Sequence, residues 1–177
     1  MANDLQQVTD ACAAAGQLTA EHQLLEHFAG TWRAEVKMWM GSGPETGAEP
    51  MISHGTMVNT LIFGGKFIEH DYNDDSGMFS GKGFFGYNTI EERWEGVWLD
   101  TMATFMMTER GSYDAETKSW TMTDELKDPG SGHMMTKRSV VTLHGDGSHT
   151  METWFTPTAG KNAGKESKCM EIRYTKA

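Results

Sequence analysis

The chain has 177 residues and a mass of 19.7 kDa, which is the size of a single domain. Lys and Arg total 15 against 25 Asp and Glu, so the formal net charge is -10, and this acidity argues against nucleic-acid binding. The mean hydropathy is -0.52 and no apolar run is long enough to span a bilayer, so we expect no membrane insertion. The first ten residues lack the features of a secretory signal, and Cys12 and Cys169 make no disulfide framework. We therefore expect a cytoplasmic protein.

Residues 18–30 carry the pattern of one amphipathic helix. Thr19 suits the N-cap, Leu24, Leu25 and Phe28 share one face, and Gly30 supplies the stop. We expect residues 1–18 to form an N-terminal segment that is either helical or disordered. Residues 19–177 are then a single barrel domain with this helix at its start.

After Gly30 the hydrophobic period changes to two. Alternation of Trp32, Ala34, Val36, Met38 and Met40 with intervening, mostly polar residues predicts a half-buried strand. Turn signals then separate further segments rich in aromatic, Thr, Val and Met residues: 51–62, 66–73, 82–88, 92–99, 103–112, 118–126, 135–144, 148–156 and 166–175. About ten consecutive antiparallel strands normally close, because closure removes both exposed edges. The predicted fold is mainly β, an antiparallel up-and-down β-barrel preceded by a short helical segment.

The first of these strands opens with Gly30-Thr31-Trp32, which resembles the first-strand motif of lipocalins and other calycin-like barrels. A closer resemblance is to domain-of-unknown-function family 1579, and it extends from about Gly30 to the C-terminus. It implies a lipocalin-like fold, and members of that family have no agreed activity. The residues that carry it are Gly30-Thr31-Trp32, Leu61-Ile62-Phe63-Gly64-Gly65-Lys66-Phe67, Gly83-Phe84-Phe85-Gly86-Tyr87-Asn88, Trp98-Leu99-Asp100-Thr101 and Met170-Glu171-Ile172-Arg173-Tyr174.

The lipocalin resemblance also implies a pair of residues that closes one end of the barrel. In lipocalins the first-strand Trp packs beneath the cavity floor against an Arg of the last strand, and Trp32 takes the first of these roles here. Arg173 is the obvious residue for the second, but its neighbours Met170, Ile172 and Tyr174 are expected to face inward, which turns Arg173 outward. Lys176 shares the inward parity, so either cation remains open as the partner of Trp32.

Large soft side chains are abundant, with 14 Met, 6 Trp, 8 Phe and 4 Tyr. Met adapts its shape to varied apolar partners, which suits a ligand cavity, although the same residues also fill an ordinary core. Asp100 ends an aromatic strand, where it either orients a ligand at the cavity mouth or accepts hydrogen bonds from the turn backbone. The candidate lumen residues are Met38, Met57, Phe67, Phe84, Trp98, Asp100, Phe105, Met107, Trp120, Met122, Met151, Phe155 and Met170.

Motifs for other chemistry are weak, and we expect neither a metal nor a cofactor. A haem-binding barrel of the nitrobindin-like kind would need an inward His on a late strand, where the sequence offers only His133 and His149. We find no nucleophile elbow, phosphate loop or metalloprotease helix, which argues against an enzyme. The favoured function is binding of a small apolar or amphipathic molecule in the lumen. The alternative is a structural or interaction protein with a filled barrel that forms a homo-oligomer, and haem binding or catalysis ranks below both.

Overall fold

The structure is a computed structural model that describes residues 2–40 and 43–177. Helix α1 spans Ala2–Ala15 and helix α2 spans Ala20–Gln23, which continues into a 3₁₀ turn at Leu24–His27. A second 3₁₀ turn spans Pro44–Thr46, just after residues 41 and 42, which lie outside the described part. None of the described helices is long and apolar enough to cross a membrane.

Ten antiparallel strands form one closed barrel in which each strand pairs with its neighbours in sequence, and β1 pairs with β10 to close the cylinder. The predicted fold class is therefore confirmed. The strands are β1 (Gly30–Met38), β2 (Met51–Ile62), β3 (Phe67–Asp74), β4 (Ser80–Asn88), β5 (Arg93–Asp100), β6 (Met107–Asp114), β7 (Ser119–Lys127), β8 (Met134–Leu143), β9 (His149–Pro157) and β10 (Ser167–Lys176).

The predicted helix at 18–30 is shorter and more tightly wound than expected. Thr19 is the N-cap of α2, and its backbone N–H donates to Nδ1 of His22 at 3.0 Å. After one turn the helix tightens into the 3₁₀ conformation, which turns Leu25 and Phe28 into the end of the barrel. Gly30 does not belong to the helix; it is the first residue of β1, with a φ of +111° that favours glycine.

The sixth strand also differs from its prediction at 103–112. Residues 103–106 belong to the connection between β5 and β6, and the strand begins at Met107. Their apolar character resembles that of a strand, but Phe105 and Met106 are 46 % and 66 % exposed. This end of the barrel carries apolar side chains in its loops, which the pattern alone does not separate from a strand.

The two ends of the barrel are built differently. At the lower end, Leu25 and Phe28 pack against Ile68, Trp94 and Trp120, with each of these side chains at most 5 % exposed. A second buried cluster lines the wall formed by β10, β1, β2 and β3. The upper end carries the connections after β1, β3, β5, β7 and β9, and the helix does not cover it.

Candidate functional site

Trp32 and a cation from the last strand close the lower end. Lys176 pairs directly with Trp32, its Nζ lies 3.8 Å from the indole centroid, and it donates to the Ala29 carbonyl at 2.7 Å. Arg173 lies on the outer face, where it contacts Asp146 at 3.1 Å. Of the two cations considered, the structure therefore places Lys176 over the indole.

The carbonyl groups at the end of the helical segment are also satisfied by the barrel. The Phe28 carbonyl accepts from Trp32 Nε1 at 2.6 Å and from Asn59 Nδ2 at 2.9 Å. Asn59 Oδ1 lies 2.7 Å from Nδ1 of His70. Because Asn59 uses its amide hydrogens toward Phe28, His70 donates through Nδ1 to that oxygen. Burial lowers the pKa of His70 to about 4, so the ring is neutral at pH 7.

His149 is enclosed by aromatic rings just above this floor. It stacks on Tyr174 with centroids 4.6 Å apart, and it meets Trp32 edge-on at 4.4 Å and Phe28 at 5.3 Å. Burial is the main reason that the pKa of His149 falls to about 3, and nearby His70 adds to it. The ring is too enclosed to offer a haem iron an open side, and His133, the other late histidine, is exposed in a loop.

A charged pair lies on the inner face in the upper half of the barrel. Lys137 on β8 faces the lumen, and its Nζ lies 2.7 Å from Oε1 of Glu109 on β6. The Lys137 side chain is 11 % exposed and that of Glu109 is 21 % exposed. The same Glu109 oxygen accepts the Ser139 hydroxyl at 2.9 Å, and Ser139 lies 3.3 Å from the Thr153 hydroxyl. Sequence analysis missed this cluster, because the spacing within each strand does not reveal a contact that spans β7.

Side chains around this pair form what we call the upper cup. Its floor is polar on one side, where Ser139 and Thr153 pair across β8 and β9 and are each 1 % exposed. Apart from the buried Lys137, its wall is half-buried, in contrast to the sealed lower half. The wall consists of Trp98, Met107, Glu109, Lys137, Phe155 and Met170.

Trp98 lies flat against the barrel wall because its neighbours lack side chains. A Cβ on Gly81 would lie 2.2 Å from the Trp98 ring, and one on Gly83 would lie 2.8 Å from it. The indole Nε1 donates to Asp100 at 3.1 Å, and the other oxygen of Asp100 accepts the Met102 N–H at 2.9 Å. Asp100 thus holds both the turn and the ring of Trp98.

Most of the predicted lumen residues share the inner face, and three do not. Phe67 and Phe84 face outward with exposures of 42 % and 40 %, and Phe105 lies in a loop. Phe67 alternates with Ile68 and Tyr72, which are buried inside, and Phe84 with Phe85, which packs in the lower core. The inner set divides by height: Met57, Trp120, Met122 and Met151 lie deeper, and Met38, Trp98, Asp100, Met107, Phe155 and Met170 lie toward the mouth.

Two clefts lie outside the lumen, beside the helical segment. One of about 260 Å³ is lined by Gly16, His22, Lys66 and Phe67, and one of about 220 Å³ is lined by Leu18, Glu26 and Gly65. Both occur at the junction of the helices with the lower turns.

Within residues 2–40 and 43–177, no three His, Cys, Asp or Glu side chains converge to hold a metal ion. Cys169 lies near the charged pair, but burial raises the pKa of its thiol to about 11, so it is protonated at neutral pH. The arrangement offers hydrogen bonding and apolar contact in a partly dry site.

Comparison with known proteins bears on the family. A search of curated proteins returned no match to this chain. The model of a family described as a protein of unknown function, DUF1579, matches residues 17–176. That match covers the whole barrel together with its leading helical segment, and the closed ten-strand barrel is consistent with a lipocalin-like fold. The chain therefore belongs to the DUF1579 family.

Proposed function

We propose that the protein binds one small amphipathic molecule in the upper cup. The observation that carries the proposal is the inward-facing Glu109–Lys137 pair, set beside Trp98, Met107 and Phe155 in the half of the barrel that solvent reaches. A few polar groups converging on an apolar wall are typical of small-molecule sites. Met and aromatic side chains supply an adaptable apolar surface for the rest of such a ligand.

The energetics of the pair support a role beyond stability. Removing two charges from water costs several kcal/mol per ion, and apolar residues of similar volume often replace such a pair without loss of stability. Lys137 and Glu109 nevertheless lie inside a barrel whose lower half is packed with apolar and aromatic side chains. A ligand that uses their unfilled hydrogen-bonding capacity gives the pair a function.

Location is a further part of the proposal. Cys12 is an exposed free thiol and Cys169 is also free, and free thiols persist in a reducing compartment. We place the protein in the cytoplasm on this ground.

Binding of the uncharged dye N-phenylnaphthylamine tests the proposal. We expect saturable fluorescence enhancement at about one site per chain, in protein that melts cooperatively and keeps its near-ultraviolet dichroism, since molten states also bind such dyes. Met107→Trp should weaken binding because this side chain lies in the cup wall, whereas Thr108→Trp, on the outer face of the same strand, should not.

A natively folded protein that takes up no dye would contradict the proposal. It would favour the alternative that sequence analysis left open, a filled structural barrel that acts as a homo-oligomer. The aromatic packing of the lower half is the feature that favours this alternative. Native mass spectrometry of protein from cells, before and after organic extraction, distinguishes the two by co-purified mass and by subunit number.

A further inference from the structure

Polar groups face the lumen in the upper half of the barrel, at Glu109, Lys137 and Ser139. The loops and strand ends at the mouth carry exposed methionines among charged residues such as Asp75 and Asp128. Met78 is 80 % exposed, Met102 79 % and Met106 66 %. We call the exposed methionines at this end the methionine rim: Met40, Met51, Met78, Met102, Met106 and Met134.

From this arrangement, and resting on the proposed function, we infer that the ligand enters head first. We propose that it has an uncharged headgroup with both a hydrogen-bond donor and an acceptor, as in an alcohol or a primary amide. The headgroup binds the Glu109–Lys137 pair, and an alkyl chain runs outward to lie against the methionine rim.

The hydrogen-bonding capacity of the pair determines the headgroup. Glu109 Oε1 accepts from both Lys137 Nζ and the Ser139 hydroxyl. Within the described residues, no hydrogen bond engages Glu109 Oε2, and Glu109 is the only carboxylate at ion-pair distance from the Lys137 ammonium, which carries three donor hydrogens. The pair thus presents an acceptor and donors side by side to a ligand.

The charge of the pair argues against a charged headgroup. Glu109 and Lys137 neutralise each other at 2.7 Å, and the nearby Asp124, the register partner of Lys137 on β7, accepts the backbone N–H groups of Thr108 and Glu125. A carboxylate bound to Lys137 would lie close to the Glu109 carboxylate, and an ammonium bound to Glu109 would lie close to Lys137. Like charges in a partly dry site repel strongly, so an uncharged group that donates and accepts is the best complement.

The depth of the pair below the mouth sets the length of the chain. Lys137 lies three residues below the first residue of β8, so its Cα is about 10 Å from the end of the strand at the usual rise. A medium-length alkyl chain spans this distance. Its outer end would cover methionines that are otherwise exposed to water.

Displacement of N-phenylnaphthylamine by ligands that share a ten-carbon chain tests the headgroup. We expect decanamide and decanol to displace the dye at concentrations at least about tenfold lower than decanoate or decylamine, since one hydrogen bond to a charged group corresponds to that factor. Glu109→Gln should shift the preference toward decanoate, and Lys137→Met should shift it toward decylamine. Equal potency of all four ligands in the wild type, or a preference for a charged one, would overturn the inference.

The orientation is tested separately with a nitroxide at the far end of the decanamide chain. In spectra of methyl-labelled methionine, we expect the signals of Met102 and Met106 to broaden and those of Met122 and Met151 to persist. Broadening of the deep pair instead would show that the tail enters first. If dye binding itself is absent, the proposed function fails, whereas dye binding with the wrong ranking or orientation refutes only this inference.

Discussion

Protonation of the enclosed His149 ring should weaken the fold in mild acid. The side chain is 4 % exposed, and its pKa of about 3 lies well below the ordinary value of 6.5. Because the unfolded chain takes up the proton first, stability should fall as the pH drops from about 6.5 toward 3. At pH 5 the difference amounts to about 2 kcal/mol for this one residue, from 1.36 kcal/mol for each pH unit below 6.5.

The variant His149→Phe isolates this effect. It keeps an aromatic ring against Tyr174 and Trp32, and Nδ1 of His149 has no hydrogen-bond partner in the described structure that the change would remove. Urea unfolding followed by tryptophan fluorescence, at pH 7 and at pH 5, gives the loss of stability for each protein. We expect that loss to be about 2 kcal/mol smaller in the variant than in the wild type.

A matched control is His133→Gln, which removes an exposed histidine and should leave the loss unchanged. His70, whose pKa is lowered to about 4 by burial, contributes a similar acid sensitivity that remains in the His149 variant. Equal losses in the wild type and in His149→Phe would refute the argument, because they would show that His149 is accessible to protons in the folded state.

Two further predictions concern the wall and the floor. Lys176→Gln should lower the free energy of unfolding by about 0.5–1 kcal/mol, because it removes the contact with the Trp32 indole. Arg173→Gln, on the outer face, should lower it less. The reverse order in urea melts would assign the closing role to Arg173. Gly81→Ala should cost about 1–3 kcal/mol, since the new methyl group displaces the Trp98 ring. The control is Gly145→Ala, whose new methyl group meets no atom within 4 Å and should leave the stability unchanged or slightly raised. Equal effects of the two alanine substitutions in thermal melts would contradict the placement of Trp98.

The strands could be predicted because their periodicity is strong and local. Segment 51–62 coincides with β2, and the other strands begin and end close to the predicted positions except at the start of β6. It was harder to predict which side chains of each strand face the lumen and which face outward. Phe67 shares its face with Glu69 and Asp71, which form an outer-face network with Lys82, and this charge pattern is a signal that places Phe67 outside.

The inward-facing side chain could not be predicted at Gly83-Phe84-Phe85 for a different reason. Two adjacent aromatic residues give no preference for either parity, and the inward glycines are informative only once Trp98 is known to lie against them. The charged pair was harder still, because Glu109 and Lys137 lie two strands apart in the barrel. Neither strand has a sequence pattern that indicates contact with the other. The contact arises only from the closure of the barrel and the register of its strands.

The methionines show how stability and binding are divided along the barrel axis. Met122 is 2 % exposed within the lower core, where Trp94, Trp120 and the helical segment fill the space. Toward the mouth, Met38 pairs with Met51 and Met170 across three strands, and exposure rises. A flexible thioether adds little to a packed core that rings already fill, but it adapts to a changing apolar partner. The lower half therefore carries the burial that holds the fold, which leaves the upper half free to keep an internal charged pair and exposed apolar side chains, as the proposed binding function requires.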